Sequence, residues 1–294
     1  MSIAPEHPPA SKAKPLAPGR PLEIEAASNV YLVHPAARAL ATYLSRTAVT
    51  PNQVSIASVF ASGCAAASYV AAPWPWNAFA GLALQFVWHV LDGADGDLAR
   101  RTGRASPRGE LIDGVCDHVS QGLIYIAFAI MAQRTVGGWA WAVAFAAAGS
   151  HFVQANAYET GRKAYRRFVY GAPWMRQTGA GEGELGGLLA HFYLAVSVVL
   201  SPGEAEVESA FGQSVDGSER PAHLYRDAFA PIVKTSGILA SNTRTLAAFI
   251  AVLVARPVWF FIFELTVLNA ALFALAVWRA RANGRFAARI ESSL

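Results

Sequence analysis

Leu91-Asp92-Gly93-Ala94-Asp95-Gly96-Asp97-Leu98-Ala99-Arg100 closes an apolar run that begins at Trp76, and Gly109, Asp113 and Asp117 introduce the next apolar run from Leu111. Carboxylates at membrane depth lose hydration, at about 2.5 to 3.5 kcal/mol for one Asp at a helix centre. Asp92, Asp95, Gly96 and Ala99 follow i, i+3, i+4, i+7, so a continuous helix carries them on one face and turns Asp97 away. Gly109, Asp113 and Asp117 follow i, i+4, i+8, again on one face. Two antiparallel helices joined by a short basic connection pack side by side, and their carboxylate faces converge on one pocket. Converging carboxylates repel unless cations lie between them, and an all-oxygen ligand set suits hard Mg²⁺ or Mn²⁺. Gly96 and Gly109 leave backbone open to a phosphate or nucleotide. Asp97 reads as a cap or a solvated charge. Pairing with Arg100, Arg101, Arg104 and Arg108 would neutralise the aspartates too, but it requires neither the glycines nor the helical spacing.

The rest of the chain supplies a membrane around this stretch. Of 294 residues, 54% are apolar and only 15% charged, which excludes an ordinary soluble domain. A crossing needs about 20 apolar residues. Runs from Gln53 to Ala72, Trp76 to Leu91, Leu111 to Ala132, Gly138 to Ala157 and Val258 to Trp278 qualify. A sixth is assembled from Leu246 to Ala255 extended back toward Thr235 and turning at Arg256-Pro257. Lys and Arg gather on the cytoplasmic side. Arg38, Arg46, Arg100 to Arg108, Arg162 to Arg167 and Arg279 to Arg289 then lie inside, with Arg134 and Arg256 outside. The expected fold is therefore an all-α integral membrane protein with six transmembrane helices, both termini cytoplasmic and an N-terminal interfacial helix over Val33 to Leu44. The apolar run Leu188 to Leu200 is expected to be a cytoplasmic or interfacial helix within a cytoplasmic segment of about 158–234, and Gly203 to Ser218 a solvated loop. Residues 1–28 read as a disordered cytoplasmic tail and 29–294 as the membrane domain. Cys64 and Cys116 have neither disulfide nor metal spacing. A net charge of +4 spread over several interhelical segments gives no nucleic-acid motif.

The spacing Asp, two residues, Asp-Gly, two residues, Ala-Arg, eight residues, Gly, three residues, Asp, three residues, Asp is filled by Asp92, Asp95, Gly96, Ala99, Arg100, Gly109, Asp113 and Asp117. It resembles the signature of the CDP-alcohol phosphotransferases, and Thr50-Pro51-Asn52-Gln53 resembles the family's motif before the first span. The resemblance implies transfer of a substituted phosphate from a CDP-alcohol to an acceptor hydroxyl with release of CMP, in phospholipid or related lipid synthesis. It implies that Asp92, Asp95, Asp113 and Asp117 hold two Mg²⁺ or Mn²⁺ ions, with Asp117 also the catalytic base. Gly96, Ala99, Arg100 and Gly109 correspond to nucleotide or diphosphate contacts. The implied partners are a CDP-alcohol donor and an alcohol acceptor, at least one of them a lipid such as CDP-diacylglycerol, and a second copy in a homodimer. In a bacterium the setting would be the inner membrane, with the active site at its cytoplasmic face.

Two other classes compete. A membrane prenyltransferase also binds a metal diphosphate through aspartates, but on widely separated helices. A divalent-metal transporter needs a polar path through mid-membrane, whereas these carboxylates lie at one edge. For the acceptor, His151, Gln154, Asn156 and Glu159 form a polar series at the end of the fourth run, and Arg162, Arg166 and Arg244 could hold a phosphate-bearing alcohol. Helix-to-helix hydrogen bonding accounts for each of these singly as well. Glu264 is a further functional or packing carboxylate.

Overall fold

The computed structural model describes residues 21–172, 203–213 and 220–291, and every regular element among them is helical. Thr50-Pro51-Asn52-Gln53 is a helix start. The Thr50 backbone N–H donates to Gln53 Oε1 at 2.8 Å, the Gln53 N–H donates to Thr50 Oγ1 at 3.4 Å, and Pro51 occupies the first helical position. The capped helix runs Pro51–Ala71 (α2), preceded by His34–Leu44 (α1). Trp76–Arg101 (α3) continues through the aspartate stretch without a break at either glycine. Its chain leaves through Gly103 at φ 67°, and Ser106 caps Pro107–Val136 (α4) by accepting the Gly109 N–H at 3.1 Å. Gly137, also at φ 67°, ends α4 before Trp139–Tyr170 (α5). The later elements are Glu204–Gln213 (α6), Arg220–Thr235 (α7), Ser241–Leu253 (α8) and Val258–Phe263 (α9). A π-helical turn at Glu264–Leu268 then leads into Asn269–Glu291 (α10).

Among the described residues, four stretches are long and apolar enough to cross a membrane: Pro51–Ala71, Arg108–Val136, Arg220–Leu253 and Val258–Ile290. The protein is thus a multi-pass membrane protein. α3 and α5 have the length but are more polar, since α3 carries Asn77, Gln85, His89 and the aspartates, and α5 carries Ser150, His151, Gln154 and Asn156.

The chain divides into two compact units. One comprises Ala26–Ala155 and Ile238–Ala271. Its core is an aromatic knot in which Phe128 meets Phe260 at 4.7 Å and Tyr69 at 5.4 Å between ring centroids, while Tyr125 meets Phe260 at 5.3 Å. Around the knot, buried alanines such as Ala65, Ala78, Ala129, Ala140 and Ala147 let helix backbones approach closely. Gly81 is required by the same knot, because a Cβ there would lie 2.2 Å from the Tyr69 ring. α1 buries Ala37 and Ala41 with Ala94 and Leu98 of α3, so the helix expected at the interface is packed beside the aspartate stretch.

The other unit comprises Met1–Glu25, Asn156–Gly237 and Leu272–Leu294. Here the expected loop from Gly203 to Ser218 is corrected over Glu204–Gln213, which is helical. Acidic composition suggested solvation, but Val207 and Ala210 are buried, and Phe211 stacks on Phe168 at 4.8 Å and Phe286 at 5.6 Å. Glu204 and Glu206 in the first turn favour the helix through its dipole. The tail expected over residues 1–28 is also corrected in its last part, since Leu22–Ile24 forms a 3₁₀ turn with Ile24 buried. Glu25, 2% exposed, pairs with Arg162 at 2.5 Å, and Glu23 accepts from Tyr165 at 3.2 Å and from Tyr170. The run Leu188 to Leu200 lies outside the described residues.

Candidate metal centre

α3 and α4 follow one another through the short connection 102–106, and each packs on α2 rather than closely on the other. The Thr102 N–H donates to the Leu98 carbonyl and the Arg104 N–H to the Ala99 carbonyl, each at 2.9 Å, which satisfies the last turn of α3. Held on α2, the two helices bring their aspartates together. One carboxylate oxygen from each of Asp92, Asp113 and Asp117 lies within 4.8 Å of the others, all three side chains being partly buried. Asp95 sits deeper, at 4% exposure. It accepts hydrogen bonds from the Ser55 hydroxyl of α2 and from the Gly96 N–H, and Asp113 is within hydrogen-bonding reach of it. Asp92 stands in the same relation to Asp117.

A divalent cation fits these residues. The donors are all hard oxygens, their spacing allows a shared ion, and Asp117 Oδ1 is buried without a hydrogen-bond partner. A buried carboxylate oxygen with no donor is costly unless something positive meets it. Asp97 points elsewhere, to Arg100, whose side chain is 55% exposed. Gly96 and Gly109 keep the approach open: the nearest groups to a Cβ added at Gly96 belong to the flexible Arg100 side chain at 3.4 Å, and at Gly109 to the Ser106 hydroxyl at 3.3 Å.

Ser55 is the participant that sequence reasoning missed. A signal was present: Ser55, Ser58 and Ser62 recur at helical spacing in a mostly apolar α2, and all three are buried. Ser55 reaches Asp95, and Ser62 donates to the Ser120 carbonyl of α4 at 2.7 Å.

The residues suggested for the acceptor have other engagements. Arg244, 2% exposed, pairs with the fully buried Glu264 at 2.9 Å and donates to Gln154 at 2.5 Å. Gln154 in turn donates to the Glu264 carbonyl at 3.1 Å and to Asn269 at 2.8 Å. His151 meets the Tyr125 hydroxyl at 3.2 Å. This network ties α4, α5, α8 and the π-helical turn together, and Glu264 is its packing carboxylate. Arg162 is held between Glu25 and Glu159, the latter at 3.2 Å.

No curated protein matches the chain. The profile of the CDP-alcohol phosphatidyltransferases matches residues 48–199. That match takes in the α2 cap, the serine stripe and both carboxylate faces, and it covers more than half of the 294 residues. The chain is a member of the CDP-alcohol phosphatidyltransferase family, and so of a family of transferases.

Proposed function

We propose that the protein transfers a substituted phosphate group from a CDP-alcohol to an acceptor hydroxyl and releases CMP, using Mg²⁺ or Mn²⁺ held by Asp92, Asp95, Asp113 and Asp117. The observation that carries this reading is the carboxylate cluster with a buried Asp117 oxygen that lacks a donor. Two cations there would neutralise the aspartates and polarise the diphosphate oxygens. Asp117 accepts the proton of the acceptor hydroxyl as its oxygen attacks the phosphorus that bears the alcohol. The bond from that phosphorus to the bridging oxygen of CMP breaks, and CMP leaves with the electron pair. Ser55 holds Asp95 in its ligand orientation through their hydrogen bond. Gly96 and Gly109 admit the diphosphate, with Ala99 and Arg100 beside it.

The membrane setting favours a lipid among the two alcohols, as CDP-diacylglycerol donor or as lipid acceptor, and a role in phospholipid synthesis. The charge distribution supports six crossings with both termini cytoplasmic, and the family resemblance supports a homodimer. A prenyltransferase is disfavoured by the compactness of the cluster on two successive helices, and a transporter by family membership. The deciding experiment is CMP release by the purified, reconstituted protein with CDP-diacylglycerol or CDP-linked polar alcohols, with added Mg²⁺ or Mn²⁺. Metal-dependent CMP release is the expected result. Full activity in excess chelator would overturn the metal assignment, and no CMP from any CDP-alcohol would overturn the reaction.

A further inference from the structure

Within the unit that contains α7 and the C-terminal part of α10 lies a groove of about 430 Å³ that the proposed reaction does not use. Its long wall is one face of α10. Ala274, Trp278, Arg281 and Arg285 follow one another at three- and four-residue steps, with Val277 beside Trp278 and Arg289 one turn further. Leu224 of α7 contributes to the opposite wall, and among the described residues no acidic side chain lines the groove. The face is graded along its length. It begins apolar, passes a tryptophan of the kind that favours the membrane–water boundary, and ends in exposed arginines. α10 is the end of the apolar stretch Val258–Ile290, so the gradient runs from the membrane span outward.

We propose that this groove binds one anionic phospholipid, with its acyl region along Ala274, Val277 and Leu224 and its phosphate on Arg281 and Arg285. Two guanidinium groups one helical turn apart suit a phosphodiester, because each presents a planar fork of donors to the phosphate oxygens. Basic clusters beside a transmembrane helix are where anionic head groups are recognised. A free phosphate is the poorer occupant. It would fill little of a space in which one water accounts for only about 30 Å³, and it would leave the apolar end wet. None of the lining residues belongs to the candidate metal centre, so lipid binding here is separable from turnover.

The test uses the full chain, purified in detergent and mixed with phosphatidylglycerol or phosphatidylcholine, with retained lipid counted by native mass spectrometry. Wild type is expected to keep a phosphatidylglycerol that the double variant Arg281→Gln, Arg285→Gln loses. The loss should be about five-fold for each arginine, the factor equivalent to about 1 kcal/mol. The double lysine variant should retain more than the glutamine one. CMP release in phosphatidylcholine vesicles should be the same in wild type and the glutamine variant. If the glutamine double variant fails to fold, Arg285→Gln alone decides the question by the same five-fold criterion. Equal retention of the two lipids, unchanged retention in the variants, displacement of the lipid by millimolar inorganic phosphate, or loss of turnover in neutral vesicles would each overturn the proposal.

Discussion

Asp117 and Asp92 are near neighbours in the cluster, yet their positions predict different losses. Asp117 lies one helical turn beyond Asp113 on α4 and keeps a buried oxygen without a partner, so it can meet a cation and an acceptor hydroxyl. As a general base it would contribute about 10²- to 10⁴-fold. Asp117→Asn should therefore cut CMP release by about that factor and leave metal-dependent binding of a CDP-alcohol largely intact. Asp92→Asn should weaken that binding itself, because it removes a charge the cations need. Calorimetry beside CMP release separates the two, and equal loss of binding would make Asp117 only another ligand. Ser55 acts one step removed. Ser55→Ala deletes the hydroxyl that orients Asp95, and loss of such a partner usually costs about 10- to 100-fold in metal affinity. The metal concentration for half-maximal CMP release should rise by that factor, with the maximal rate changing less. An unchanged metal requirement would remove Ser55 from the site.

At the scale of elements, the 3₁₀ turn Leu22–Ile24 should be pH-sensitive through Glu23. Burial pushes the Glu23 carboxyl up, but hydrogen bonds from Tyr170 and Tyr165 and the charge of Arg226 outweigh it, so it titrates below the ordinary glutamate value of 4.5. A depressed carboxyl contributes stability that is fully present above its unfolded value and is lost as pH falls through its folded one. Protection of the amides in residues 22–25 against hydrogen exchange, taken relative to the intrinsic rate at each pH, should therefore fall as pH drops below 4.5, and Glu23→Gln should show no such step. This turn also marks what a linear reading misses. The carboxylate faces of α3 and α4 were legible because their aspartates are spaced by the helix itself. Glu23 finds Tyr165 and Tyr170, Glu25 finds Arg162, and Arg244 finds Glu264, across sequence distances that carry no periodic signal. The same holds for α6, whose Val207, Ala210 and Phe211 look like loop residues, although the first two are buried and Phe211 stacks on Phe168 and Phe286. Ser55 falls between these cases, since its stripe was periodic but its partner Asp95 lay on another helix.

For the whole molecule, the proposal that remains open to a direct test is which side of the membrane each part occupies. Among the described residues four stretches have the length and apolarity of spans, and α3 and α5 carry polar side chains that other helices cover, as Gln85, His89 and Gln154 show by their burial. If both cross, the count is six, and the basic residues sort consistently. Arg100 to Arg108, Arg162 to Arg167 and Arg279 to Arg289 would then share one side, and Arg134 and Arg256 would take the other. Two exposed positions report on this arrangement: Ser209 on α6 and Trp139, 77% exposed at the start of α5. In a chain with Cys64 and Cys116 replaced, Trp139→Cys should react with an impermeant thiol reagent applied to intact cells. Ser209→Cys should react only after permeabilisation. Labelling of Ser209→Cys from outside would show that the segment 158–234 is not cytoplasmic. A reversed pattern at both positions would turn the carboxylate cluster to the outer face, where a cytoplasmic CDP-alcohol could not reach it.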